Sequence, residues 1–180
     1  VRGMERDTPR GLLTFPDAIR NQFTVSLSSL EASLDLREEL LQHQRDFYLE
    51  SSELFASSEV KGYVFGENGD PSALNSFLEV LLQHDLKVLP LEEPVDVKGT
   101  TFSPSGSYLV SLDQPQIRLV KSLFEPALTF TDSLFYDVSA WTLPYAYNIP
   151  YQAVTNPRIM EQYGGEPLDA APRSSEKMHD

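Results

Sequence analysis

Between Ile19 and Phe55 the apolar residues return every three or four positions: Ile19, Phe23, Leu27, Leu30, Leu34, then Leu40 or Leu41, Phe47 or Tyr48, and Leu54 or Phe55. That spacing lines one side of a helix. The predicted helix covers residues 17–58, after a short extended piece, LLTFP, that Pro16 ends. Asp17 stands in its first turn, where a carboxylate suits the positive end of the helix dipole. A stripe this long does not fit inside one small domain, so the helix is expected to brace two bodies.

The rest of the chain must supply a core of its own. Its 180 residues suffice for one domain, or a domain with appendages. At Val60 the period changes. VKGYVF is short, β-branched and aromatic, and GENGDPSALNSFLEVLLQHDLKVLPL reads as turn, helix and second strand. Asp70 is placed to cap that helix and Pro71 suits its first position. Leu74, Phe77, Leu78, Leu81 and Leu82 form its apolar face. A right-handed crossover would make the two strands parallel.

Turn signals follow at Lys98-Gly99 and Ser103 to Gly106, around β-prone pieces of which YLVSL is the best strand. QPQIRLVKSLFE is a second amphipathic helix. The expected fold is therefore α/β, a small sandwich over residues 59–151 behind the long helix. Residues 152–180, rich in Pro, Gly, Ser and charge, read as a flexible tail or linker.

Composition narrows the chemistry. A net charge of −13 repels phosphate backbones and anionic lipid alike, which argues against nucleic-acid partners. No apolar run approaches the roughly 20 residues that cross a bilayer, and Val1 reads as the start of an excised fragment. Having no cysteine, the chain holds no disulfide, thiolate metal site or cysteine nucleophile.

Each candidate site has a plainer reading beside it. His43 and Asp46 in HQRD share a helix face, yet such pairs are usually solvated; His84 closes a helix and His179 lies in the tail. Gly62, Gly66 and Gly69 flank a strand-to-helix turn without the spacing of a phosphate loop. Ser139 lies near Asp137 but lacks a nucleophile elbow. Asp132 with Asp137 is a formal carboxylate pair. Phe130, Phe135, Tyr136, Trp141, Tyr145, Tyr147 and Tyr151 crowd into 22 residues. Such a density suits either the covered edge of a sheet or a platform for glycans or peptides, with Tyr136, Trp141, Tyr145 and Tyr147 as the contact residues.

Five phrases, in unbroken order, point to a family: RGLLTFPDAIRNQFTVSLSSL, QRDFY, GYVFGENGDPSALNSFLEVLLQHDLKVLPL, GSYLVSLDQPQIRLVKSLFE and DSLFYDVSAWTLPYAYNIPY. Over about residues 1–151 the chain resembles the segment C-terminal to the catalytic domain in large bacterial zinc carboxypeptidases of the carboxypeptidase A-like metallopeptidase family. The resemblance implies that residues 1–16 are the tail of the preceding peptidase domain. It also implies a flavodoxin-like or class I amidotransferase-like sandwich with a mainly parallel sheet. The His-x-x-Glu pair and later His that hold the family's zinc do not occur here, so no catalytic or metal residue carries over to this segment. Zinc is expected in the parent's catalytic domain, and the peptidase domain of the same polypeptide is the expected partner. A periplasmic or secreted location is the family's expectation. The function this implies is that of a non-catalytic accessory domain for proteolysis, supporting the peptidase domain or substrate access, with a glycan- or peptide-binding module as the alternative.

Overall fold

The computed structural model describes residues 5–66, 69–126 and 142–172. The chain divides into two compact units between Phe47 and Tyr48. The first opens on a hairpin, β1 (Glu5–Thr8) paired with β2 (Gly11–Thr14), and continues into helix α1 (Phe15–Asp35) and most of α2 (Arg37–Leu49). Thr14 caps α1 through a capping box: Asp17 N–H donates to Thr14 Oγ1 at 3.3 Å, and Thr14 N–H donates to Asp17 Oδ2 at 3.3 Å. Between α1 and α2 only Leu36 leaves the helical class. Its N–H donates to Ala32 O at 2.9 Å and its carbonyl accepts from Leu40 N–H at 2.8 Å, while its backbone, at φ −95° and ψ 11°, ends α1 before α2 begins. Helix α3 (Ser51–Ser57) completes the predicted helical stretch as three segments.

The second unit is built on one four-stranded sheet, in the order β4 (Val88–Pro90), β7 (Ser107–Ser111), β3 (Gly62–Gly66), β8 (Tyr151–Val154). Every neighbouring pair in it is antiparallel. This corrects the expectation of a mainly parallel flavodoxin-like or amidotransferase-like sandwich. The predicted strand–helix–strand unit exists, through α4 (Pro71–Gln83). Because β3 and β4 both run antiparallel to β7, they point the same way; but β7 lies between them, and they never pair. With α5 (Ile117–Phe124) leading back toward β8, the connectivity is the β-α-β-β-α-β of a split β-α-β, or ferredoxin-like, arrangement.

Alternation along the strands sorts the core into two layers. On one side, Tyr63, Phe65, Val88, Tyr108 and Val110 meet Phe77, Leu78 and Leu81 of α4 and Ile117, Val120 and Phe124 of α5. On the other, Val64, Leu109 and Val154 meet Val95, Val97 and Phe102 of the hairpin β5 (Val95–Val97) and β6 (Thr100–Phe102), together with Met160 of α7 (Arg158–Tyr163). Lys98 at φ 51° and Gly99 at φ 79° make the two-residue turn of that hairpin. Strand β8 and α7 lie within or beside the segment read as a loose tail. Past α7 the chain continues along the edge of β4: Gly165 N–H donates to Pro90 O and Leu168 N–H to Val88 O, each at 2.9 Å, while Tyr163 O accepts from Glu92 N–H.

Candidate functional site

The aromatic stretch comes closest to a site in the described body. Thr142 precedes a one-turn helix, α6 (Leu143–Ala146), whose Pro144 is buried and whose end reverses at Asn148, φ 54°. The reversal, closed by Ile149 N–H to Pro144 O at 2.8 Å, feeds the chain into β8. The rings that follow turn inward. Tyr147 packs 5.5 Å from Phe77, and Tyr151 lies 5.9 Å from Phe124, which stacks on Tyr63 at 4.8 Å. Tyr145 stays outside, 65% exposed, with its ring edge-on to Tyr151 at 5.4 Å. Burial, with a smaller contribution from the Glu125 charge, pushes the Tyr63 phenol up to about 12. Tyr151 is raised as well, first by burial and then by the hydrogen bond with Tyr145. Both rings are held neutral, as core tyrosines are.

Of the four residues expected to bind a ligand, Tyr145 and Tyr147 are thus separated, one on the surface and one against the core. Tyr136 and Trp141 lie outside the described residues, as do Phe130, Asp132, Phe135, Asp137, Ser139 and His179.

The remaining candidates resolve into local structure. His43 is exposed on α2, and Asp46 accepts from Gln42 Nε2 at 2.7 and 2.8 Å. His84 is exposed at the end of α4, its N–H on the carbonyls of Leu81 and Leu82. At the other end of α4 Asp70 accepts from Ser72 N–H at 3.0 Å and Ala73 N–H at 3.1 Å, so the helix start is occupied by its own cap. Gly69, at φ 100°, supplies the turn before it. No group of three or more His, Asp or Glu that could hold a metal occurs among the described residues.

Two hollows had no sequence signal, because residues far apart in the chain line them. One, of about 170 Å³, lies between Tyr48, Ser51 and Ser52 and the turn Asp113–Pro115. Ser51 donates to Pro115 O at 3.1 Å, and the buried Gln114 amide is satisfied by Ser111 O at 2.6 Å and Lys87 N–H at 3.0 Å. The Ser51 hydroxyl is thus directed at a carbonyl and not at a base. The other, about 460 Å³ and widely open, lies between Glu79, Leu82 and Gln83 of α4 and Asp169–Ala171.

Among the described residues no helix is long and apolar enough to cross a membrane. No family model, curated protein or solved structure matches this chain.

Proposed function

We propose that the chain is a non-catalytic accessory module of a bacterial zinc carboxypeptidase, working beside a peptidase domain that supplies the metal and its chemistry. The observation that carries the reading is the state of the first unit. From Leu12 to Leu41 its large apolar side chains stand exposed, among them Phe23 at 63%, Leu30 at 69% and Leu34 at 68%, and α1 and α2 bury no residue. Monomeric proteins rarely leave such a continuous apolar stripe in water. A chain with a closed core in one unit and a bare stripe in the other is built to associate. The five sequence phrases supply the enzyme family, and a periplasmic or secreted location belongs to the same proposal.

The test adds the purified chain to the catalytic domain of a bacterial zinc carboxypeptidase carrying the His-x-x-Glu motif. A complex and a changed kcat/KM on C-terminal peptides are expected. No complex and no change would count against the partner. Stoichiometric zinc and peptide hydrolysis by this chain alone would overturn the non-catalytic role.

A further inference from the structure

We infer that Tyr145 and Tyr151 form an oxidative modification site, at which a one-electron oxidant joins the two rings by a carbon–carbon bond into an intramolecular dityrosine. The inference stands on the geometry of the second unit and does not depend on the peptidase partner.

Tyr151 lies beside two other tyrosines, and they differ in access. Tyr63, at 6.2 Å, is 3% exposed and stacked on Phe124, so its ring is closed to an oxidant and held in place. Tyr145, at 5.4 Å, is 65% exposed on the one-turn helix α6. One phenol of the Tyr145–Tyr151 pair therefore meets solvent while the other is anchored by the core, 5.9 Å from Phe124. The two rings cross at 67°, edge to face, and a hydrogen bond joins their hydroxyls. The ortho carbons flank those hydroxyls, so the atoms that would bond are already neighbours. An exposed side chain changes rotamer within picoseconds to nanoseconds, which lets the Tyr145 ring swing onto Tyr151.

The step balances. Each phenol gives one electron to the oxidant and its hydroxyl proton to water, leaving two phenoxyl radicals. Their ortho carbons couple, and the hydrogen on each of those carbons then returns to oxygen, restoring both phenols. Two electrons and two protons have left; with a peroxidase, one hydrogen peroxide takes up both and becomes two waters. Holding the partners side by side turns an encounter between chains into a step within one. The chain has no cysteine, so no thiol of its own repairs the radicals first, and Met160 is buried in the other layer of the core. The product closes residues 145–151 into a ring around the reversal at Asn148 and ties α6 to the first residue of β8.

The test treats the full chain, at micromolar concentration, with a peroxidase and limiting hydrogen peroxide. Blue dityrosine emission should appear in the monomer. Residues 122–158 form one tryptic peptide, which should be lighter by two hydrogens and yield no fragment ions between positions 145 and 151. Tyr145→Phe keeps the ring but should abolish this product, whereas Tyr48→Phe, which removes another exposed phenol, should leave it in place. Unfolding in urea before oxidation should lower the yield. No dityrosine, links only between chains, an undiminished internal product in Tyr145→Phe or an equal yield in urea would each overturn the inference, and none of these outcomes bears on peptidase binding.

Discussion

Residues 15–49 and residues 62–124 carry similar apolar patterns and end in opposite states. In the second stretch Leu78, Leu81, Val120 and Phe124 are fully buried, because two helices find a sheet to lie on. In the first, leucines at the same three-and-four spacing face water, and among the described residues α1 and α2 bury no side chain. A periodic stripe specifies a helix and the direction of its apolar side; what covers that side is a tertiary fact. The stability of the second unit should therefore rest on packing, and that of the first on its caps until another surface arrives.

The strongest way to break this contrast is Phe77→Ala. Phe77 is fully buried, edge-on to Phe65 at 5.2 Å and close to Phe124 and Tyr147, and its loss should destabilise the second unit by about 3–5 kcal/mol. Urea unfolding followed by tyrosine fluorescence should show the shift while helix signal from α1 persists; simultaneous loss of both would mean the units do not fold independently. Gly62→Ala tests the other layer. A Cβ there would overlap the Met160 side chain and the Val110 carbonyl, an overpacking that should cost about 1–3 kcal/mol in the same experiment.

Alkaline titration separates the units by chemistry, since no tyrosine precedes Tyr48. The folded Tyr63 phenol titrates at about 12, above the unfolded value. Its stabilising contribution is whole below about pH 10 and falls as the pH rises from there through the folded value. Ultraviolet absorption of phenolate should rise together with loss of the second unit, and early ionisation without unfolding would show Tyr63 to be accessible.

Smaller effects belong to the first unit. Thr14→Ala removes the cap of α1 and should cost its helicity about 1 kcal/mol, read by circular dichroism. Hydrogen bonds from Thr14, with help from Arg20, hold the Asp17 carboxyl below its ordinary value. That contribution is present above about pH 4 and is lost as the pH falls through the lower folded value. Acid fraying of α1 should thus be weaker in the Thr14 variant than in the parent. Least of all, Leu27→Ala should leave the unfolding midpoint of the second unit within about 0.5 kcal/mol.

What the sequence made legible was local. Asp70, Pro71 and the spacing from Leu74 to Leu81 marked α4, and Lys98-Gly99 marked a hairpin, because caps and two-residue turns are encoded by the residues that form them. The sheet was misread where pairing is long-range. All five residues of β3 are buried, and a continuous apolar strand suggests a parallel sheet with helices on both faces. Here the second face is closed by β5, β6 and α7 instead, and β7 enters between β3 and β4 from more than forty residues downstream of β3. No property of GYVFG names SYLVS as its neighbour. The aromatic stretch was legible as a cluster, but its division into the inward Tyr147 and the outward Tyr145 follows from their places two residues apart, in and just after the one-turn helix α6, which point in nearly opposite directions.

The path of the chain past α7 has one more consequence. By donating the Gly165 and Leu168 amides to the carbonyls of Pro90 and Val88, it occupies acceptors on the edge of β4 to which a stray strand could otherwise donate. Peeling those few residues away would bare the edge of β4 and also lift Leu168 and Ala171 from the core they pack against, so one segment guards both the sheet edge and the packing behind it.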